Sequence, residues 1–168
     1  MDIAPAGEDL HRTVTVTPVN GPVAADLLRR YYTEIVGRYH GRTVSAREVD
    51  AVLAEETSDD LAPPTGAFLV ARHGGEPVGC VGVRLLTARI AELTRLYVDP
   101  AARGTGTAGR LLAAAERTAR DLGRDTMRLD TRRDLVEARA LYARHGYAEI
   151  PPYNDSPYAD HWFQKALG

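Results

Sequence analysis

The sequence predicts one mixed α/β domain, α+β in organisation, with helices on both faces of a mostly antiparallel, twisted sheet. Stretches of period-two apolar alternation are interleaved with stretches whose apolar residues recur at helical spacing. A glycine-centred hairpin joins two strands in the middle of the chain. The length, 168 residues, fits one domain over residues 1–168 with a real core.

Each element follows from local pattern. Thr13-Val14-Thr15-Val16-Thr17 alternates as a half-buried strand and stops at Pro18. Ala24, Leu27, Leu28, Tyr31 and Ile35 mark an amphipathic helix from about Pro22 to Tyr39. Ser45 with Glu48 forms the signature of a capping box, opening a second helix that runs to about Glu56. Residues 57–65, with Asp59-Asp60 and Pro63-Pro64, read as a loop. Strands at 67–71 and 77–83 flank the turn His73-Gly74-Gly75-Glu76. A further strand from about Ala91 to Val98 breaks at Asp99-Pro100. A helix from about Gly104 to Leu122 follows, with Ala108, Leu111, Leu112, Ala115, Ala119 and Leu122 as its core face and Gly123 as its stop. Thr126–Asp130 is a short strand. Asp134 with Glu137 has the look of a second capping box, opening a helix that ends at Gly146. Ile150 and His161-Trp162-Phe163 supply closing strands.

Composition narrows the function. With 44% hydrophobic and 26% charged residues and a net charge of −2, the chain has no global field for nucleic acid or an anionic membrane. Nine arginines nevertheless fall between Arg95 and Arg133, so a local anion site is expected. The single cysteine, Cys80, rules out a disulfide framework and a cysteine-based zinc site. It sits in an apolar strand and reads as a small buried hydrophobe. The five histidines show no metal-ligand spacing, so no metal is expected. Met1 to Arg12 has no apolar signal core, and no apolar run is long enough to cross a bilayer. A cytoplasmic protein is expected.

The segment Gly104-Thr105-Gly106-Thr107-Ala108-Gly109 spells G-x-G-x-x-G, and Asp130 lies further on. Together they match the dinucleotide-binding fingerprint. The spacing argues against it, because five residues separate Val98 from Gly104 where that fold needs an immediate turn. Under eighty residues then remain for a second nucleotide-binding half. A glycine loop that only caps a helix is the plainer alternative. Against that, two glycines and Arg103 open a long helix whose first N–H groups lack partners. Such an end favours a phosphate, and the guanidinium suits its oxygens.

The run Leu96-Tyr97-Val98-Asp99-Pro100-Ala101-Ala102-Arg103-Gly104-Thr105-Gly106-Thr107-Ala108-Gly109 resembles the acetyl-CoA motif of the GNAT superfamily of N-acetyltransferases. Arg103, Gly106 and Ala108 meet its [QR]-x-x-G-x-[GA] form. Ala138 to Tyr147 resembles the family's second motif, and the similarity runs from about Gly66 to Lys165. The resemblance implies a CoA-binding core over 66–168 and a variable, substrate-side pair of helices over 13–65. It implies that the backbone from Thr105 to Gly109 holds a pyrophosphate. It also implies that main-chain groups of Leu96 and Val98 pair with pantetheine where parallel strands ending at Val98 and Asp130 splay apart. Leu135 stands where family members often carry a cofactor-contacting Asn, a contact leucine cannot make.

Acyl transfer to an amine needs a neutral nucleophile and a proton for the departing thiolate. By resemblance, Tyr142 is the general acid and Glu92 the base that deprotonates the amine, directly or through water. Otherwise Tyr142 is a core tyrosine, and Glu92 is a solvated strand-end charge or the partner of Arg95 in a salt bridge. Tyr31, Tyr32 and Glu34 on the first helix, with Tyr153, Asn154 and Asp155 in the loop before the last strand, either border the acceptor pocket or are ordinary surface residues. The function implied is acetyl transfer from acetyl-CoA to a primary amine of a small molecule or peptide by direct transfer in a ternary complex. A non-catalytic CoA-binding or regulatory module would use the same cradle. Whether the protein forms a homodimer is left open.

Overall fold

The computed structural model describes residues 11–168, so most of the polar Met1–Arg12 stretch lies outside the described residues. Seven strands and four long helices follow in the predicted order: β1 (Arg12–Val16), α1 (Pro22–His40), α2 (Ala46–Glu55), β2 (Gly66–His73), β3 (Glu76–Leu85), β4 (Ile90–Val98), α3 (Thr107–Asp121), β5 (Thr126–Thr131), α4 (Val136–Arg144), β6 (Ala148–Ile150) and β7 (His161–Ala166). A short 3₁₀ turn, Pro100–Ala102, precedes α3. The sheet order is β1-β2-β3-β4-β5-β7-β6. All neighbours are antiparallel except β4 and β5.

Turn and cap chemistry set the boundaries. Gly74 and Gly75 both adopt positive φ, 56° and 86°, as the two central residues of a type I′ hairpin require. The Ser45–Glu48 box forms, with the serine side chain accepting from the Glu48 N–H and the glutamate side chain accepting from the Ser45 N–H. Gly123 (φ 82°) ends α3 as expected. Its N–H donates to the Arg120 carbonyl and that of Arg124 to Ala119, the bond pair of a Schellman motif. Gly146 closes α4 the same way, with the Tyr147 N–H donating to the Tyr142 carbonyl.

Three local expectations need correction. Helix α3 begins at Thr107 rather than Gly104, because Gly104 and Gly106 sit at φ 79° and 81°, outside the helical region. Leu122 is the C-cap of α3 and 40% exposed, so the helix presents its core face only as far as Ala119. The Asp134–Glu137 capping box does not form: Leu135 is the N-cap of α4 with no side-chain cap. Arginines take the two carboxylates instead. Asp134 accepts two bonds from Arg132 at 2.9 Å, and Glu137 pairs with Arg38 at 3.2 Å.

Two cores sandwich the sheet. On one face Leu111, Leu112 and Ala115 of α3 pack on Leu69, Val81, Val83, Leu93, Met127 and Leu129. On the other, Ala24, Leu27 and Leu28 of α1 pack on Phe68, Val70, Cys80 and Tyr97. Alternate residues of the central strands face alternate layers, as the pleat demands. Gly66 shows how tightly the sheet meets the loop before it: a Cβ there would lie 2.3 Å from the Val83 carbonyl oxygen and 2.7 Å from that of Asp60. Gly66→Ala is therefore expected to destabilise by about 2 kcal/mol or more, in the upper range for overpacking. The urea midpoint of unfolding reads this directly.

Candidate active site

Strands β4 and β5 pair over three residues only, Ile90–Glu92 against Thr126–Arg128. Beyond that point β4 stays with β3 as far as Val98, while β5 stays with β7 as far as Thr131. A wedge opens between them. The cause lies in β4: Thr94 faces Gly82 and Tyr97 faces Cys80, so Arg95 and Leu96 together oppose the single residue Val81. This is a β-bulge, which bends and twists the strand that carries it. Arg95 takes φ 53° there, the one positive φ outside glycine among the described residues. Such a conformation costs on the order of 1–3 kcal/mol and is stored where the surroundings demand it. The Cys80 Sγ donates to the Arg95 carbonyl at 3.4 Å and helps hold the bulge.

The wedge leads into a cavity of about 1120 Å³ bounded by α1, β4, the start of α3, the end of β5 and α4. At one end is the glycine loop. Gly106 caps α3 without any side-chain hydrogen bond, and the first helical bond donated from this end is that of the Arg110 N–H to the Gly106 carbonyl. The N–H groups of Thr107, Ala108 and Gly109 are left as the orphan donors of a helix start. Nothing lies within 4 Å of a Cβ built on Gly104 or Gly106, so the approach is open. Donors, dipole and space together fit a diphosphate.

The acid–base pair predicted from sequence faces this cavity. Tyr142 is 5% exposed and lines it. Burial, and then the nearby Asp130 carboxylate, push its phenol well above the usual tyrosine range. It therefore keeps its proton at neutral pH, as a donor must. Glu92 is 8% exposed. One of its oxygens accepts from Arg84 at 2.6 Å and the other from the Tyr153 hydroxyl at 2.7 Å. Its ion-pair partner is thus Arg84 on the adjacent strand, not Arg95. Burial, then Glu92, raise the Tyr153 phenol far above its ordinary range, so it remains a donor.

The other predicted residues divide. Leu96, Val98, Gly104, Gly106, Thr107, Ala108, Gly109, Tyr31, Tyr32, Glu34 and Asn154 line the cavity. Arg103 lines it too, but Nε donates to the Val98 carbonyl at 3.0 Å and Nη2 pairs with Glu34. Two residues expected to face different ligands thus hold one another. The Tyr97 side chain packs into the α1 core, leaving its main chain as the part near the wedge. The Thr105 hydroxyl is turned to the Ala102 carbonyl and to Thr107. Asp155 is exposed and not part of the cavity wall. Asn154 is braced, donating to Asp130 at 2.8 Å and accepting from the Trp162 indole at 2.9 Å.

Arg84, Arg95 and Asp130 line the site as well. Sequence reasoning gave Arg84 no role and offered Arg95 only as an ion-pair partner for Glu92. It used Asp130 only as the end of the splayed strand and as the acid of the rejected dinucleotide fingerprint. One signal was present: Arg95 falls at an apolar position of the alternation Ala91, Leu93, Tyr97. An arginine there implies either a burial problem or a change of register.

A model of the acetyltransferase (GNAT) family matches residues 25–147. The chain belongs to that family. An N-acetyltransferase of Escherichia coli K12, YjgM, whose function is uncharacterised, is 32% identical over 153 residues, covering 89% of this chain and 87% of that one. An IAA acetyltransferase of Azospirillum brasilense is 37% identical over 94 residues, 55% of this chain; the match spans only 61% of that relative's length. Among solved structures, the PaiA N-acetyltransferase of Thermoplasma acidophilum in complex with coenzyme A superposes with a TM-score of 0.68 at 19% identity. The match covers 92% of this chain and 99% of that one. That likeness is one of fold, in this chain a mixed sheet with one parallel pair.

The cysteine offers a check on the packing behind the site. Cys80 is fully buried, and burial pushes its thiol up to about 12. At pH 8 it is a thiol, not the reactive thiolate. A thiol reagent at that pH is expected to leave the native protein unlabelled and to label one site after denaturation, as mass spectrometry would register.

Proposed function

We propose that this chain transfers an acetyl group from acetyl-CoA to a primary amine of a small molecule or peptide, directly and within a ternary complex. The observation that carries the reading is convergence. Among the described residues, unpaired helix N–H groups, an unpaired strand edge and a buried tyrosine whose hydroxyl has no partner all open onto one cavity.

The chain's own groups divide the work. The N–H groups of Thr107, Ala108 and Gly109 bind the diphosphate, and the backbone edge of β4 at Leu96 and Val98 aligns the pantetheine arm as an added strand. Arg103 exchanges its internal partners for phosphate when the cofactor arrives. Acetyl-CoA bound in this way supplies an activated thioester at the wedge. Glu92, fixed by Arg84 and Tyr153, takes the proton from the incoming ammonium through water. This step matters because an alkylammonium with a pKa of about 10 is mostly protonated at neutral pH. As the amine nitrogen bonds to the acyl carbon and the carbon–sulfur bond breaks, the Tyr142 hydroxyl passes its proton to the sulfur, and the surplus proton shed by the acylated nitrogen restores the phenol. Enclosing amine and thioester in one cavity removes much of the entropic barrier to their encounter.

The test is release of free thiol from acetyl-CoA in the presence and absence of a broad amine panel. Release should require an amine. Tyr142→Phe is expected to lower kcat by about 10²–10⁴-fold while coenzyme A still raises Tm as it does for the unaltered chain; equal loss of both would remove Tyr142 from the chemistry. Glu92→Gln is expected to reduce kcat/KM by a similar factor near pH 7. Part of that loss should return as pH climbs toward the amine's own pKa, where the nucleophile no longer needs a base. A rate deficit constant across pH would deny Glu92 its role.

A further inference from the structure

Arg95 has a claim on the acceptor that its position on β4 makes specific. The bulge shifts the side-chain alternation of the strand by one residue. Before it, Leu93 packs toward α3; after it, Leu96 packs toward α3 and Tyr97 toward α1. The extra residue, Arg95, is thereby turned to the α1 face, the same face as Thr94. Its Nη1 donates to the Thr94 hydroxyl at 3.2 Å and Nη2 to the Thr57 carbonyl at 3.1 Å. The guanidinium carbon stands 5.9 Å from the centre of the Tyr32 ring.

What it lacks is a counter-charge. Arg95 is 6% exposed, yet among the described residues no carboxylate pairs with it, and its Nε is buried without any partner. The oxygens that its Nη1 and Nη2 do meet, the Thr94 hydroxyl and the Thr57 carbonyl, are both neutral. Of the other arginines lining the cavity, Arg84 is neutralised by Asp60 and Glu92, Arg103 by Glu34, Arg132 by Asp134 and Arg38 by Glu137, while Arg144 is exposed, where water solvates its charge. A buried charge without a partner is costly. Arg95 is moreover held in a strained conformation that turns it toward the cavity.

We infer that Arg95 is a specificity-determining residue that binds a carboxylate carried by the amine acceptor, so that the preferred substrates are amino-carboxylates such as free amino acids. This rests on the acetyltransferase reading above and narrows its substrate class. A monoanion fits better than a phosphate, because Glu92 and Asp130 share the cavity and would oppose a second negative charge. A carboxylate on Arg95 leaves the amine of the same molecule free to lie along β4 toward Glu92, which opens on the same face. Tyr32, stacked by the guanidinium, flanks the stem between them.

The experiment uses matched acceptors: a panel of amino acids, each with its decarboxylated amine and its carboxamide, compared by thiol release from acetyl-CoA. For the unaltered chain, kcat/KM is expected to favour the carboxylate member of the best pair by at least about tenfold, the scale of one charge-assisted bond. Arg95→Gln is expected to bring that ratio to about one. Equal or greater turnover of the decarboxylated amine throughout the panel overturns the inference and leaves the transferase standing. So does an Arg95→Gln protein that keeps the preference. No thiol release with any amine strikes the transferase reading itself and takes this inference with it. Should Arg95→Gln not fold, the ratio measured for the unaltered chain decides, together with whether the carboxylate member raises its Tm more than the decarboxylated one.

Discussion

The site depends on a strand pair that stops pairing. Strands β4 and β5 share three residues of parallel ladder before the bulge at Arg95 turns β4 away. The polar edge this exposes lies inside the molecule, where an unpaired backbone group is unfavourable unless something bonds to it. The same bend borders the cavity into which the N-terminal donors of α3 face, and it turns Arg95 onto the α1 side. The proposed cofactor cradle, reaction centre and acceptor pocket all adjoin this one irregularity in one strand.

Helix α1 closes one side of the cavity by two kinds of force. Ala24, Leu27 and Leu28 are buried against the sheet and supply most of its attachment, at roughly 1.5–3 kcal/mol for each large side chain fully buried. A row of arginine–carboxylate pairs then ties its outer face to the rest of the cavity rim: Arg30 to Asp99, Glu34 to Arg103, Arg38 to Glu137. These pairs are partly exposed and worth at most about 1 kcal/mol each. They set where α1 sits without locking it, so Arg103 can change partners at little cost. Arg84, Glu92 and Tyr153 are more buried and form a stiffer chain across β3, β4 and the loop before β7.

A second buried network supports the opposite face. Glu116 of α3 accepts from Lys165 of β7 at 2.8 Å and from the Tyr147 hydroxyl at 3.1 Å. Tyr147 in turn meets Tyr142 edge-on, with ring centres 5.8 Å apart. The general-acid candidate is therefore packed from behind by groups whose polar atoms are satisfied. A side chain that must meet a reacting atom gains precision from such support.

The element order, the hairpin at Gly74-Gly75, the Ser45 cap, the glycines before α3 and the buried state of Cys80 could all be read from sequence, since each follows from neighbours a few residues apart. Backbone conformation and hydrophobic period are local properties. Pairings across the chain were not legible. Asp134 and Glu137 look like a capping box until Arg38 and Arg132 approach them, Arg103 looks committed to phosphate until Glu34 stands beside it, and Asp155 carries no sign that it falls outside the cavity wall. The bulge was hidden for the same reason, because it exists only as a mismatch between β4 and its partner β3. Sequence alone determined which groups this chain offers for the proposed binding of a diphosphate and transfer of a proton. Tertiary structure alone decided which charges neutralise one another and which, at Arg95, is left without a partner, because that balance depends on distances between residues far apart in the chain.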